Sequence, residues 1–368
     1  MKILIIKTSL SAGGVDNLVM NQIPYLYEKG YEIWIQYLDG VKEQKLDFYQ
    51  QYKCNFIKLP SYKKGIQKFI NEETKVFEKG NFDIIHSHIC QFSYLVLLAA
   101  KKAKINNRII CHSHYDDYYR GWPYLRLFMP MIYKQFNKSN CILVASSQAS
   151  GKALFGNNKF CLIYNGIDTQ KFQFSISNRS KIREQLGINN EIAICNVGMF
   201  RDQKNHIFLL DIFNECLKIH ENSILVLIGA GPLEDEIKEK AKRLNIFERI
   251  RFLGVRHDVN ELLNGMDLCF FPTKYEGFSM NLIELQCNGL PTICSDVAPN
   301  EIKIVDSFTF FDLNKSAMDW AKIGLQLYNN TIRKDQSQEL IEKKLDISSY
   351  NEEMDKIYQN EANRFINR

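Results

Sequence analysis

Short apolar runs alternate with helix-length stretches along nearly the whole chain, and they do so in two sets. The first set of candidate strands lies at 2–7, 31–37, 56–59, 84–87, 108–111, 141–145 and 161–164. The second lies at 192–197, 223–228, 250–253, 268–272, 291–295 and 308–311. Strand–helix alternation predicts parallel sheets with helices on both faces, an α/β architecture. A polar, strand-poor stretch at 168–190 separates the sets. This predicts two Rossmann-like, doubly wound domains facing across a cleft, with a boundary near 166–174. Such sheets bind ligands outside the carboxyl ends of their strands, so a ligand is expected in that cleft. Helices are expected at 233–244 and 349–367.

Composition agrees with this reading. The chain has 368 residues, 45% hydrophobic and 24% charged, enough for two domains each with its own core. No apolar run reaches the roughly 18 residues that spanning a bilayer needs. The opening MKILIIKTSL lacks the long apolar region and cleavage site of a signal peptide, and reads as a first buried strand. The ten cysteines are scattered without a CxxC pair, so they are expected to be free and buried, as suits a reducing cytoplasm.

The net charge of +5 is unevenly spread. Residues 1–165 hold 22 Lys and Arg against 12 Asp and Glu, whereas residues 166–368 hold 25 against 30. A basic N-terminal half suits an anionic membrane surface or a phosphorylated acceptor, or is simply solvated lysine. No basic motif with interleaved aromatics points to nucleic acid. Residues 115–138, YDDYYRGWPYLRLFMPMIYKQFNK, mix aromatics and methionines with Arg120, Arg126, Lys134 and Lys138. The pattern fits an interfacial element, with Trp122 and the tyrosines at headgroup level, and fits a buried helix equally well.

The most informative segment is PTKYEGFSMNLIELQCNGLPTICSD, 272–296. A strand ends at LCFFP, Glu276 follows, and a helix beginning near Ser279 leads to Glu284. The backbone N–H groups of Phe278, Ser279, Met280 and Asn281 then form an anion site at a helix N-terminus, suited to a diphosphate that gains charge as a glycosidic bond breaks. Glu284 suits two vicinal hydroxyls, as on a ribose. It stands in the apolar context LIELQ, where an unpaired carboxylate is costly and calls for a partner. In VGMFRDQKNHIFLL, a strand ends at Gly198 and a polar loop carries Arg201 and Lys204, the latter a flexible point charge for a phosphate. After the first strand, Ser11-Ala-Gly-Gly-Val15 allows close backbone approach and positive φ at its glycines, though it is not the dinucleotide fingerprint. Gly229-Ala-Gly-Pro232 also follows a strand. Two His-Ser-His triplets, 86–88 and 112–114, end two strands, with alternation placing both histidines of each on one side. Four histidines raise the question of zinc, but no matching cysteine ligands accompany them.

These motifs resemble glycosyltransferase family 4. The E-x7-E segment carries the likeness, and AGGVDNLV, DIIHSH, IICHSH, VASSQAS, YNGID, VGMFRDQKNH, LIGAGPLEDEI and RIRFLGVRHDV agree with it in order over nearly the whole chain. The branch most like it makes bacterial capsule and exopolysaccharide. The resemblance implies a GT-B fold and a retaining, metal-independent hexosyltransferase. Such an enzyme moves a hexose or N-acetylhexosamine from a nucleotide-sugar, expected to be a UDP-sugar, with no further cofactor and no metal. It implies an acceptor domain at 1–167, a donor domain at 168–348, and a helix at 349–368 that packs back on the first. Glu276 would contact the donor sugar and Glu284 the ribose. Lys204 would hold the diphosphate and Gly14 would bring its N–H to the phosphate or sugar. The loop at Gly229 would lie near the base, and His114, or His112 beside it, would meet the sugar near its 6-hydroxyl. The expected acceptor is a glycan, carried on undecaprenyl diphosphate at the inner membrane face, which makes a cytoplasmic, peripheral protein the expectation. One departure stands out. The family's arginine after Gly198 is Met199 here, and Arg201 is the candidate substitute. Two rivals keep the same fold: a non-catalytic subunit of a polysaccharide-assembly complex, and a phosphorylase or epimerase.

Overall fold

The structure, a computed structural model, describes residues 1–10, 13–40, 43, 45–105, 107–114 and 125–359, without the side chains of Leu125 and Arg126. The chain forms two compact units, Met1–Gly166 with Ile347–Arg368, and Ile167–Asp346. The second unit is thus inserted in sequence within the first.

The first unit holds seven strands: β1 (Lys2–Ile6), β2 (Glu32–Leu38), β3 (Asn55–Leu59), β4 (Ile84–Ser87), β5 (Arg108–Ser113), β6 (Cys141–Ala145) and β7 (Cys161–Leu162). All pair in parallel, in the order β3-β2-β1-β4-β5-β6-β7. The order reverses between β1 and β4, the point at which doubly wound sheets open a crevice. Alternation divides the side chains between two cores. Leu4, Ile6, Ile85 and Cys111 pack with Phe69 and Phe77 of the helix Ile66–Gly80 and with Leu95 of the helix Ser93–Ala103. Ile3, Ile5, Ile35, Ile84 and Ile110 pack on the opposite face with Leu18 and Ile23 of the helix Gly14–Glu28, and with Tyr350, Met354 and Ile357 of the helix Ile347–Tyr358. Burial on both faces explains why the strands read as unbroken apolar runs. Each such side chain contributes about 1.5–3 kcal/mol. β5 runs two residues beyond its expected end, which draws His112 into the sheet.

The second unit has six parallel strands: β8 (Ile192–Val197), β9 (Ser223–Ile228), β10 (Ile250–Phe252), β11 (Leu268–Phe271), β12 (Thr292–Ser295) and β13 (Phe308–Phe311). Their order is β10-β9-β8-β11-β12-β13, with its reversal between β8 and β11. Ile192, Ile194, Leu225, Leu227, Leu268 and Phe270 form a core with the helices His206–Ile219 and Ala317–Asn330. The polar stretch at 168–190 contains a helix, Ile176–Leu186, that its composition concealed. Ser175 caps it, Gly187 ends it in the left-handed region, and Ile182 is its one buried residue. Its anchorage is ionic. Arg179 Nη2 and Arg183 Nη1 lie 2.6 and 2.9 Å from the two carboxylate oxygens of buried Asp267. Asp267 also accepts from Ala193 N at 2.8 Å, fixing the amino-terminal ends of β8 and β11.

The ten cysteines are free, nine buried and Cys141 partly so. No helix among the described residues is long and apolar enough to cross a membrane. The C-terminal helix ends at Tyr358, and the rest of the expected 349–367 lies outside the described residues.

Candidate active site

In the second unit, the loops after β8 and β11 are joined into one polar cluster. Lys204 Nζ lies 2.5 Å from Glu276 Oε2, with both side chains largely buried. The ammonium sits over the Phe271 ring, 4.4 Å from its centroid. The lysine stem lies across Gly198, where a Cβ would approach it to 3.4 Å. Thr273 Oγ1 donates toward the Gln203 and Tyr275 carbonyl oxygens at 2.9 Å, and Gln203 Nε2 donates to Tyr275 O at 3.0 Å. Lys274 N donates to Gln203 O at 2.8 Å. These bonds fix where the lysine and the glutamate stand before any ligand arrives.

Immediately beyond lies the helix Met280–Cys287, with Ser279 at its N-cap making no side-chain cap bond. The helix starts where the sequence placed it. Phe278, Ser279 and Met280 are buried, and Asn281 Nδ2 donates to Val197 O at 3.0 Å, tying the helix start to the end of β8. Glu284 is half-buried on this helix, and its carboxylate takes no hydrogen bond among the described residues. Burial pushes its pKa up to about 7. The cost expected for an apolar setting is therefore present, without a protein partner to relieve it. Arg201 is exposed, Met199 is 45% exposed, and no described group pairs with the Arg201 guanidinium.

One glycine reading changes. Gly13 caps the helix Gly14–Glu28 in extended backbone, φ −155°, so positive φ is not what the Gly-Gly pair supplies there. Ser11 and Ala12 lie outside the described residues. At Gly229, φ is +145° and a Cβ would fall 2.0 Å from Gly198 O. At Gly231 it would fall 2.5 Å from Phe200 O. Close packing of this loop on the β8 loop accounts for both glycines.

In the first unit, the ends of β4 and β5 bring all four triplet histidines together, each buried. His86 Nε2 lies 3.2 Å from His112 Nδ1, and His88 Nδ1 lies 2.9 Å from His114 Nε2. Burial first, and neighbouring histidines second, hold His86, His88 and His112 well below the usual imidazole range. Burial alone pushes His114 down to about 3. The rings are neutral near pH 7. Ligand atoms of His86, His88 and His112 lie within 4.8 Å of one another. Beside them is a group the sequence reading passed over. Lys7, at the end of β1, pairs with Asp16 at 2.5 Å and donates to Tyr49 OH at 2.8 Å, all buried. The signal for it was a lysine closing the first apolar run.

Residues 12–171 match the family described as Glycosyltransferase Family 4, and residues 178–346 match the family described as Glycosyl transferases group 1. The chain is a family 4 glycosyltransferase of GT-B fold that works in polysaccharide biosynthesis. Over 260 residues it is 29% identical to the putative glycosyltransferase EpsF of Bacillus subtilis, covering 68% of this chain and 67% of that protein. It is 25% identical over 259 residues to an Escherichia coli UDP-Gal:alpha-D-GlcNAc-diphosphoundecaprenol alpha-1,3-galactosyltransferase (67% of this chain, 66% of that one). With the capsular polysaccharide biosynthesis glycosyltransferase CapH of Staphylococcus aureus it shares 26% over 257 residues (67% and 69%). In fold it is similar to Anabaena HepE, crystallised with UDP, at TM-score 0.81 and 19% identity, with 98% of this chain and 100% of that one covered.

Proposed function

We propose that this glycosyltransferase moves a hexose or N-acetylhexosamine from a UDP-sugar to a lipid-diphosphate-linked glycan of capsule or exopolysaccharide, with retention and without a metal. The observation that carries the reading is the Lys204–Glu276 pair beside the uncapped start of the helix Met280–Cys287. Lys204, Arg201 and the backbone N–H groups from Phe278 to Asn281 at the helix start hold the diphosphate and stabilise its departing charge. Glu276 then turns from the lysine to the donor sugar, and Glu284 receives the ribose hydroxyls. The acceptor hydroxyl attacks on the face the diphosphate leaves. As the new bond to the anomeric carbon forms, the bond to the phosphate oxygen breaks and that oxygen takes the hydroxyl proton. The UDP and diphosphoundecaprenol in the E. coli relative's name, and the UDP held by HepE, support this choice of substrates. The test is a panel of UDP- and GDP-sugars, with and without a lipid-diphosphate acceptor and with and without EDTA. Acceptor-dependent turnover of a UDP-sugar that survives EDTA and keeps the anomeric configuration is expected. Magnesium-dependent activity, or an inverted product, would overturn the reading.

Glu284 gives a pH signature. Hydroxyl groups that donate to it favour its charged form, yet below about pH 7 the free protein holds it protonated. Nucleotide binding is therefore expected to tighten by up to roughly tenfold per pH unit as pH rises toward 7, and then to level off. Calorimetry near pH 6 in buffers of different ionisation enthalpy should show up to one proton released. Glu284→Gln should abolish that release. Equal heats in all buffers for the native chain would remove Glu284 from the ribose.

Membrane attachment rests on the helix Leu125–Lys138. It has a buried face of Met129, Ile132 and Phe136, and it exposes Leu127, Phe128 and Met131 at 77%, 54% and 55%. The buried-helix reading of this segment accounts for one face, and the exposed apolar face is the one an interfacial reading would use. Arg120 and Trp122 lie outside the described residues. Exposed apolar side chains beside Lys134 and Lys138 suit an anionic headgroup layer, each lysine adding about 1 kcal/mol. Co-sedimentation with anionic vesicles at low salt is expected, falling as salt rises. Lys134→Gln with Lys138→Gln should weaken it, with unfolding midpoint unchanged. A native chain that stays in the supernatant would favour a soluble acceptor.

A further inference from the structure

The histidine cluster is hydrogen-bonded to the helix Ile347–Tyr358 through the phenol of Tyr358. Tyr358, fully buried at the end of the helix Ile347–Tyr358, lies with its OH 2.8 Å from His86 Nδ1. Gln22, on the helix Gly14–Glu28, donates its side-chain N–H to the same phenol oxygen at 3.2 Å. On its other side, His86 Nε2 meets His112 Nδ1 at 3.2 Å. His112 Nε2 is buried with no hydrogen-bond partner among the described residues. The result is an ordered row, Gln22–Tyr358–His86–His112, running from two helices into the ends of β4 and β5.

We propose that Tyr358 is a positioning residue that sets the tautomer of His86 and, through it, of His112, so that His112 presents an N–H at Nε2. The argument is one of hydrogen counting. A phenol has one hydrogen to give. Its oxygen already accepts from Gln22, and the acceptor within reach of its own hydrogen is His86 Nδ1. If Nδ1 carried a hydrogen instead, the phenol would receive twice and strand its O–H in the interior. His86 therefore carries its hydrogen on Nε2 and donates to His112 Nδ1, which leaves the His112 hydrogen on Nε2. Burial keeps every ring in the row neutral, so a second proton does not relax the rule. Turning the Gln22 amide over would reverse each bond and put both hydrogens on Nδ1, which makes the tautomer itself the quantity to measure. An N–H at this point selects an oxygen lone pair, as on a sugar hydroxyl or ring oxygen. In that respect the inference rests on the sugar-transfer reading above, with His112 as the histidine that meets the sugar.

The test needs no substrate. In the full chain labelled with 15N-histidine, long-range proton–nitrogen spectra report the tautomer of each ring, with His86→Gln and His112→Gln used for assignment. Both rings are expected as Nε2–H in the native chain. Tyr358→Phe keeps the packed ring and removes the hydroxyl, and should move His86 and His112 together to a mixed or Nδ1–H signature. Gln22→Leu removes a donor to the phenol but leaves its hydrogen needing His86 Nδ1, and should keep both rings as Nε2–H, which separates loss of the hydroxyl from disturbance of the packing around it. In Tyr358→Phe, nucleoside-diphosphate affinity, carried by the second unit, should stay unchanged while acceptor-dependent turnover falls several-fold. Native rings as Nδ1–H, tautomers indifferent to Tyr358→Phe, a shift in Gln22→Leu as large as in Tyr358→Phe, or stoichiometric zinc bound through these nitrogens would each overturn the proposal. Failure of every nucleotide-sugar to turn over would sink the donor-sugar role but leave the tautomer result standing.

Discussion

Lys204→Ala is expected to weaken nucleoside-diphosphate binding by about 1.5–3 kcal/mol, the range of a hydrogen bond to a charged group. Turnover should fall further, by roughly 100- to 1000-fold, because the leaving diphosphate gains charge as the bond breaks. The structure sharpens this expectation. Lys204 is the counter-ion of Glu276 at 2.5 Å, and without it the glutamate keeps, among the described residues, a 3.5 Å contact with Thr273 Oγ1, whose hydrogen is shared with two carbonyl oxygens. A bare carboxylate beside the phosphate site repels the nucleotide. Lys204→Ala combined with Glu276→Gln should therefore recover part of the lost affinity, though no turnover, a coupling that a double-mutant cycle reads directly. Arg201→Ala tests whether that exposed guanidinium, without a partner among the described residues, compensates for Met199. A loss of affinity assigns it the missing arginine's place, and an unchanged affinity leaves Lys204 as the main cation. Calorimetry with a nucleoside diphosphate decides each case, and native affinity in Lys204→Ala would refute the phosphate role.

Asp267→Ala should destabilise the second unit by about 3–5 kcal/mol, because it leaves Arg179 and Arg183 charged with no carboxylate between them. The aspartate is 6% exposed and serves two arginines and the Ala193 amide at once. These contacts lie at the amino-terminal ends of β8 and β11, opposite the ends that carry Lys204 and Glu276. Loss of stability should therefore come without loss of nucleotide affinity in the fraction that folds. Chemical denaturation, read beside calorimetry, checks both halves, and a variant as stable as the native chain would show the clamp to be dispensable.

Both sheets were legible because their strands are buried on two faces and stand out as apolar runs bounded by polar turns. The loop bearing Glu276 and the helix start at Ser279 were legible for a related reason: strand, loop, cap and helix follow one another locally. What escaped reading depends on partners far apart in the chain. The helix Ile176–Leu186 has one buried apolar residue and no stripe, and its arginines gain meaning only beside Asp267. Lys7 is unremarkable until Asp16 and Tyr49 are brought to it across two other elements. The histidine triplets were visible, but their pairing arises from the register of β4 on β5, which sets His86 opposite Ile110 and brings His112 beside it. Periodicity gives the face of a strand and says nothing of its neighbour.

The return of residues 347–358 to the first unit bears on how the protein is made. During translation the ribosome delivers the whole of the inserted unit before that segment exists. Until then the sheet face that the helix Ile347–Tyr358 will cover, including Ile5, Ile35 and Ile110, is incomplete and open to the wrong contacts. The inserted unit, a contiguous stretch with its own core, is free to fold on emergence. The first unit must wait, holding a sticky surface through the interval. A nascent chain stalled short of residue 347 is accordingly the form most in need of chaperone protection, and the one most prone to aggregate when protection fails.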